Sequence, residues 1–315
     1  MNIQTIKELS AKAFPARTVV EYKKFNKDNL FDSVDSYLVT FDDGFKAILK
    51  TERSKSHLIR NNFDPITTEK EALATIRNNP ILKIKIPELY FFDDTKTLYS
   101  KKYLFLEYFG LPDFEKQMSS MTKQEREVID YRSAKVVKKL MDTLSPTFRL
   151  LVDSKHQFTE LFDFVFFLLN NVISDAHDKN VDLPIQSAEL NALLEKDRKC
   201  FECNTEPCLV HFNMQPYNVI INDKEVYSII NWENAVFGDP LMEVKFRLQK
   251  YTLAFFEGFG QSQFNFKETR RLLWYDIIYY LSVMVKCGSS KSNQTHYENA
   301  KKLIQQCLMM LQITL

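Results

Sequence analysis

The chain has 315 residues, 45% hydrophobic and 13% aromatic, enough to bury a sizeable core in one large domain or two lobes and too apolar for a disordered chain. Its 42 basic and 41 acidic side chains are interspersed and leave a net charge of +1, which excludes a nucleic-acid stripe and a polybasic membrane patch. The start, MNIQTIKELS, lacks the basic lead and apolar stretch of a signal peptide. The most apolar run, 164–173, is short and is broken by Asn170 and Asn171, so no membrane span and a cytoplasmic location are expected. Five cysteines are present; Cys200, Cys203 and Cys208 have a zinc-like spacing but lack a clear fourth ligand, and they read as reduced thiols.

Residues 1–18 carry Ile3, Ile6, Leu9 and Ala13 at helical spacing, and Pro15 ends the pattern. Strand patterns follow at 19–22, 36–41 and 45–50, the last two joined by Asp42-Asp43-Gly44, the chemistry of a tight hairpin. The segment 26–35 contains no glycine, and with only 6 in the chain no Gly-rich phosphate-cradling loop can be built. A helix is expected at 71–76 after the capping signal 67–71. Further strands are expected at 89–92 and 103–108. After Pro112 the pattern is helical, at 123–144, 158–176, 187–203, 242–259, 270–285 and 296–311.

One stretch, 209–240, breaks that helical series. It reads as a strand end, a polar loop, a hairpin (219–221 and 226–230 around Asn222-Asp223-Lys224) and a second polar loop. Polar side chains flank the hairpin: His211, Asn213 and Asn218 before it, Asn231 and Glu233 after it. The ordered residues are His211-Phe212-Asn213-Met214-Gln215-Pro216-Tyr217-Asn218, then Ile229-Ile230-Asn231-Trp232-Glu233, then Gly238-Asp239-Pro240. This resembles the aminoglycoside phosphotransferase and choline kinase-like family of protein-kinase-like small-molecule kinases, whose members carry H-G-D-x-x-P-x-N, I-I-D-W-E and G-D-P at the same spacing.

The resemblance covers about 19–285. It implies an α+β, bilobal fold: a β-rich nucleotide lobe at 1–110 and a mostly helical lobe at 111–315 that carries the catalytic-loop-like motif. It implies that Lys50 meets nucleotide phosphates, aimed by a helix glutamate, Glu71 with Glu69 as the competing choice. It also implies an adenine-binding hinge at Glu107, Tyr108 and Phe109. Asn213 falls at the catalytic base position beside His211, and Asn218 and Asn231 at the two metal-ligand positions. The cofactors implied are ATP and Mg2+, and the partners a nucleotide and a small-molecule acceptor.

Three departures from the family pattern bear on function. Asparagine replaces aspartate at 213 and 231, and Phe212 replaces a glycine. An amide takes up no proton near neutral pH and brings no charge to a hard cation. The expectation is therefore a degenerate kinase that binds nucleotide weakly, or a small-molecule or protein partner. The alternatives are an active ATP-dependent small-molecule O-phosphotransferase, with Glu233 standing in for a lost carboxylate, and an interaction module without a nucleotide site.

Overall fold

The computed structural model describes residues 1–25, 34–52, 64–79, 83–245, 253–288 and 293–313. Most of the glycine-free segment 26–35 falls outside them.

The N-terminal third is one antiparallel sheet of β1 (Val19–Lys24), β2 (Val34–Phe41), β3 (Lys46–Glu52), β4 (Leu89–Asp93) and β5 (Tyr103–Glu107), in the order β1-β2-β3-β5-β4. Gly44 turns the β2–β3 hairpin at φ +80°, a backbone region that costs glycine nothing. Side chains alternate along β3. Ala47 and Leu49 join Ile6 and Leu9 of helix α1 (Ile3–Ala13) in one apolar cluster, with Phe14, Phe41 and Phe105 meeting edge-on. Ile48 and Lys50 consequently point to the opposite face.

That opposite face is covered by helix α2 (Pro65–Arg77). Asp64 caps it, accepting the Thr67 N–H, and Pro65 takes the first helical position. The helix therefore begins before the capping signal read at 67–71, which fixes which side chains face the sheet. Ile66, Glu69, Ala72, Leu73 and Ile76 are buried.

Beyond β5 the chain is mostly helical. Helix α3 (Phe114–Gln117) and helix α4 (Lys123–Leu140), with its Thr122/Glu125 capping box, lead to β6 (Arg149–Leu150) and α5 (Leu161–Asp178). Next come α6 (Ser187–Lys196), α7 (Arg198–Phe201), β7 (Cys208–Val210), the hairpin of β8 (Val219–Asn222) and β9 (Glu225–Ile229), and β10 (Val236–Gly238). Helices α8 (Leu241–Lys245), α9 (Leu253–Phe259), α10 (Phe266–Cys287) and α11 (Gln294–Ile313) close the chain. The single helix expected at 242–259 is thus described as two pieces, with 246–252 outside the described residues.

Two small sheets interrupt the helices and position the site. Strands β6, β10 and β7 pair in that order. The β8–β9 hairpin turns at Asp223 and Lys224, both with positive φ, as a two-residue hairpin loop of this hand requires. The hairpin lies under the β5 exit: Ile221 N–H donates to Pro112 O, and Lys85 N–H to Tyr227 O. Two buried clusters tie helix α10 to the last loop and to the α6–α7 junction. Asp239 accepts from Arg271 (2.9 Å) and Tyr275 (2.6 Å); Asp197 accepts from Arg270 and from Trp274 (2.7 Å). One apolar cluster unites the helices and also takes in α2 and β5, so the packing runs across residue 110.

Candidate functional site

The site is assembled where the loop after β7, the loop after β9 and the inner face of β3 meet. His211 leaves β7 fully buried, and each of its ring nitrogens has a partner. Nε2 faces the Ile230 carbonyl at 2.9 Å, and Nδ1 faces the Asn213 N–H at 3.2 Å. A carbonyl only accepts and an N–H only donates, so this network assigns a neutral ring with its proton on Nε2. His211 thus fixes the loop and has no lone pair left for proton transfer. Glu243 Oε2 holds the loop from behind, accepting the N–H groups of His211 (2.7 Å) and Phe212 (3.3 Å). That clamp secures Phe212 at φ +62°, a conformation that costs a side-chain-bearing residue about 1–2 kcal/mol.

From this loop a run of amides leads to Lys50. Asn218 is fully buried on a 3-10 turn, and its Nδ2 donates to the Asn213 carbonyl at 2.7 Å. Asn231, at φ +64° where asparagine is tolerated, donates from Nδ2 to Asn218 Oδ1 at 2.6 Å. Its Oδ1 accepts from Lys50 Nζ at 2.7 Å. Lys50 also donates to both oxygens of Glu69, at 2.7 and 2.6 Å, and lies 3.6 Å from Glu233 Oε2. The series Glu69–Lys50–Asn231–Asn218–Asn213 is therefore continuous. Among the described residues Asn213 Oδ1 receives only a long bond from Tyr217, at 3.4 Å.

The helix glutamate facing Lys50 is Glu69, not Glu71. Because α2 starts at Pro65, Glu69 shares its buried face with Ala72 and Ile76. Two further residues rotate a side chain by about 200°, and Glu71 accordingly points outward and pairs with Lys70 at 2.8 Å. Lys50, Glu69 and Glu233 are all at least 96% buried as side chains, two carboxylates against one ammonium. Burial pushes the Glu69 carboxyl above its ordinary value, Lys50 pulls it down, and the Glu233 charge raises it again.

This donor set does not fit a magnesium ion. Magnesium favours carboxylate and phosphate oxygens in near-octahedral array. Here the Asn231 oxygen receives an ammonium proton and the Asn218 oxygen an amide proton, so both already serve as acceptors in the network. Glu233 is directed at Lys50. Among the described residues no group of three His, Cys, Asp or Glu side chains is arranged to hold a metal. The five cysteines are free; burial raises the Cys200 and Cys208 thiols, which disfavours the thiolates a zinc site needs.

Lys50, Glu69, Asn231 and Glu233 form the inner end of a cleft of about 340 Å³. Ile48, Leu106 and Ile230 supply aliphatic walls, and Glu107, Tyr108 and Phe109 form one edge. Tyr217, Asp113 and Glu115 also line it. Glu107 N–H is engaged by Glu88 O at 2.9 Å, and its side chain accepts from Glu88 N–H. The structure thus gathers the sequence-predicted residues around one cleft, with Glu69 replacing Glu71; His211, Asn213 and Asn218 stand behind its wall. Tyr217 was not foreseen as a site residue; nothing in its local sequence sets it apart.

Three solved structures show the fold. A thermostable mutant of aminoglycoside phosphotransferase APH(4)-Ia, in ternary complex with ADP and hygromycin B, is 15% identical. It aligns over 97% of this chain and 98% of its own, with a TM-score of 0.68. The streptomycin-ATP-APH(2")-IIa ternary complex is 14% identical over 96% and 98%, with a TM-score of 0.62. ADP-bound APH(2'')-Ib is 15% identical over 97% of each chain, with a TM-score of 0.61. No curated protein sequence matches. The family model of the phosphotransferase enzyme family, APH, matches residues 31–271, most of the chain. With its antiparallel N-terminal sheet, helical C-terminal part and family match, this chain is a member of the phosphotransferase enzyme family with a kinase-like α+β fold.

Proposed function

We propose that this chain is a degenerate phosphotransferase: it keeps the inter-lobe cleft as a ligand site and has lost phosphoryl transfer. The supporting observation is the closed amide run, in which Asn231 bridges Lys50 and Asn218 through bonds of opposite sense. In this reading positions 213 and 231 once carried carboxylates. Aspartate at 231 accepts at both oxygens, so it keeps the Lys50 bond, loses the donation to Asn218 and is free to turn an oxygen to a cation. Asparagine satisfies both neighbours without one. At 213 the amide removes a base, a loss that typically costs about 10²–10⁴-fold in rate. The chain would then act through a bound small molecule or a protein partner, in the cytosol, where its five free cysteines stay reduced.

One observation favours retained activity: Glu233 places a buried carboxylate at the cleft wall two residues past Asn231. Its approach to Lys50 at 3.6 Å weighs against a metal role. The test is ATP turnover with magnesium and a panel of aminoglycoside and amino-alcohol acceptors, using the native chain and the double variant Asn213→Asp, Asn231→Asp. The reading predicts no ADP release from the native chain and magnesium-dependent release from the variant. Turnover by the native chain would refute it.

A further inference from the structure

We infer that Phe25 is an aromatic latch on the mouth of the cleft: its ring bridges the end of β1 to Tyr108 and Lys116, and a ligand enters when that ring swings out. The inference rests on the cleft being a ligand site, the part of the reading above that does not depend on whether phosphoryl transfer is lost.

The placement follows from the backbone. Phe25 comes directly after β1, and its N–H donates to Ser36 O at 2.8 Å, which carries the β1–β2 pairing one residue further. The main chain is thereby held to the sheet, while the side chain keeps its rotation about χ1. Phe25 lines the cleft and is still 44% exposed, so its ring stands at the opening rather than in the depth. Across the opening it meets two groups from distant parts of the chain. The Tyr108 ring lies 5.9 Å away at 79°, an edge-on contact. Lys116 Nζ stands 5.8 Å from the centre of the Phe25 ring, a cation–π contact.

Both partners are aimed. Asp113 caps α3 by accepting the Lys116 N–H at 2.9 Å, and its other oxygen holds the Lys116 ammonium in an ion pair. Of the two aromatic residues at the exit from β5, Phe109 packs edge-on against Tyr227 at 5.2 Å, which leaves Tyr108 to meet Phe25. The first sheet is thus joined to the β5 exit and to α3 over the cleft, by contacts weak enough to break. One edge-on pair and one exposed cation–π contact favour the closed ring several-fold over the open one. A closed majority raises the apparent dissociation constant of any cleft ligand by the inverse of the open fraction. A ring that served only as a wall for the ligand would have the opposite effect, since its removal would take a contact away.

The test is titration calorimetry of the full chain with adenosine, an uncharged probe on which the Lys116 charge has little direct pull. Phe25→Ala is expected to tighten binding about fivefold and Lys116→Met about twofold, whereas Lys116→Arg, which keeps a cation over the ring, leaves it unchanged. Phe25→Trp supplies a second readout, because Trp232 and Trp274 are fully buried and acrylamide reaches the introduced indole first. Saturating adenosine should increase quenching of that indole as the ring leaves Tyr108 and Lys116. Weaker binding by Phe25→Ala, or reduced quenching on adding adenosine, overturns the latch and makes Phe25 a wall of the site. Absence of adenosine binding in all of these chains overturns the latch together with the cleft as a ligand site. Release of ADP from ATP by the native chain overturns the loss of phosphoryl transfer and leaves the latch standing.

Discussion

Lys50 sits between two buried carboxylates, and which glutamate neutralises it depends on two residues of helix phase. Glu69→Gln removes one charge from a buried, doubly hydrogen-bonded pair and is expected to cost about 1–3 kcal/mol in urea unfolding. Glu71→Gln, in an exposed pair with Lys70, changes stability by less than about 0.5 kcal/mol. Equal effects would contradict the placement. The pair also has a pH signature. The folded-state value of Glu69 is raised above its ordinary 4.5, so the folded chain holds that proton more tightly than the unfolded one. The stability this contributes is fully present below pH 4.5 and is lost as pH rises through the folded value. Native stability relative to Glu69→Gln should therefore decline as pH climbs above 4.5, measured as paired urea midpoints. At this scale the sequence was legible where spacing carries chemistry: His211, Asn213, Asn218 and Asn231 converge as their order implied. It is less legible at Glu71, because the helix starts at Asp64-Pro65, about one turn before the capping signal read at 67–71.

Secondary elements with a strong period were the readable ones. The hairpin at Gly44 and the one at Asp223-Lys224 follow from turn chemistry between apolar runs, and the long helices α4, α5, α10 and α11 follow from 3.6-residue spacing. Strands β6 and β10, of two and three residues, are too short to show a period, and they exist because β7 and their shared core recruit them. Helix α9 depends on a contact that no pattern reveals. A Cβ built on Gly258 falls 2.4 Å from the Tyr131 carbonyl of α4, so only glycine permits this approach. Gly258→Ala should force the two helices apart and cost about 1–3 kcal/mol by chemical unfolding. A neutral result would show that they are not in close contact.

For the whole molecule, the apolar core does not divide where the chain turns from sheet to helix. Ile66, Leu73 and Leu106 belong to the same buried cluster as Phe164, Trp274 and Leu281. Calorimetry of the unliganded protein should accordingly show one cooperative transition; two resolved transitions would mean that the sheet and the helical part melt independently. The family and the α+β architecture were legible because 209–240 spells out the motif order. The electrostatic character of the cleft was not, since Glu69, Asp113, Glu115 and Glu233 are scattered along the chain and meet only in three dimensions. The proposed loss of phosphoryl transfer rests on the hydrogen-bonded run of asparagines 213, 218 and 231. Manganese titration of the native chain in the presence of ADP, followed by electron paramagnetic resonance, tests this most directly. The expected result is a free-ion signal indistinguishable from that of ADP alone, with a one-site loss of signal appearing in the variant carrying Asn213→Asp and Asn231→Asp. Saturable, one-ion uptake by the native protein would contradict it.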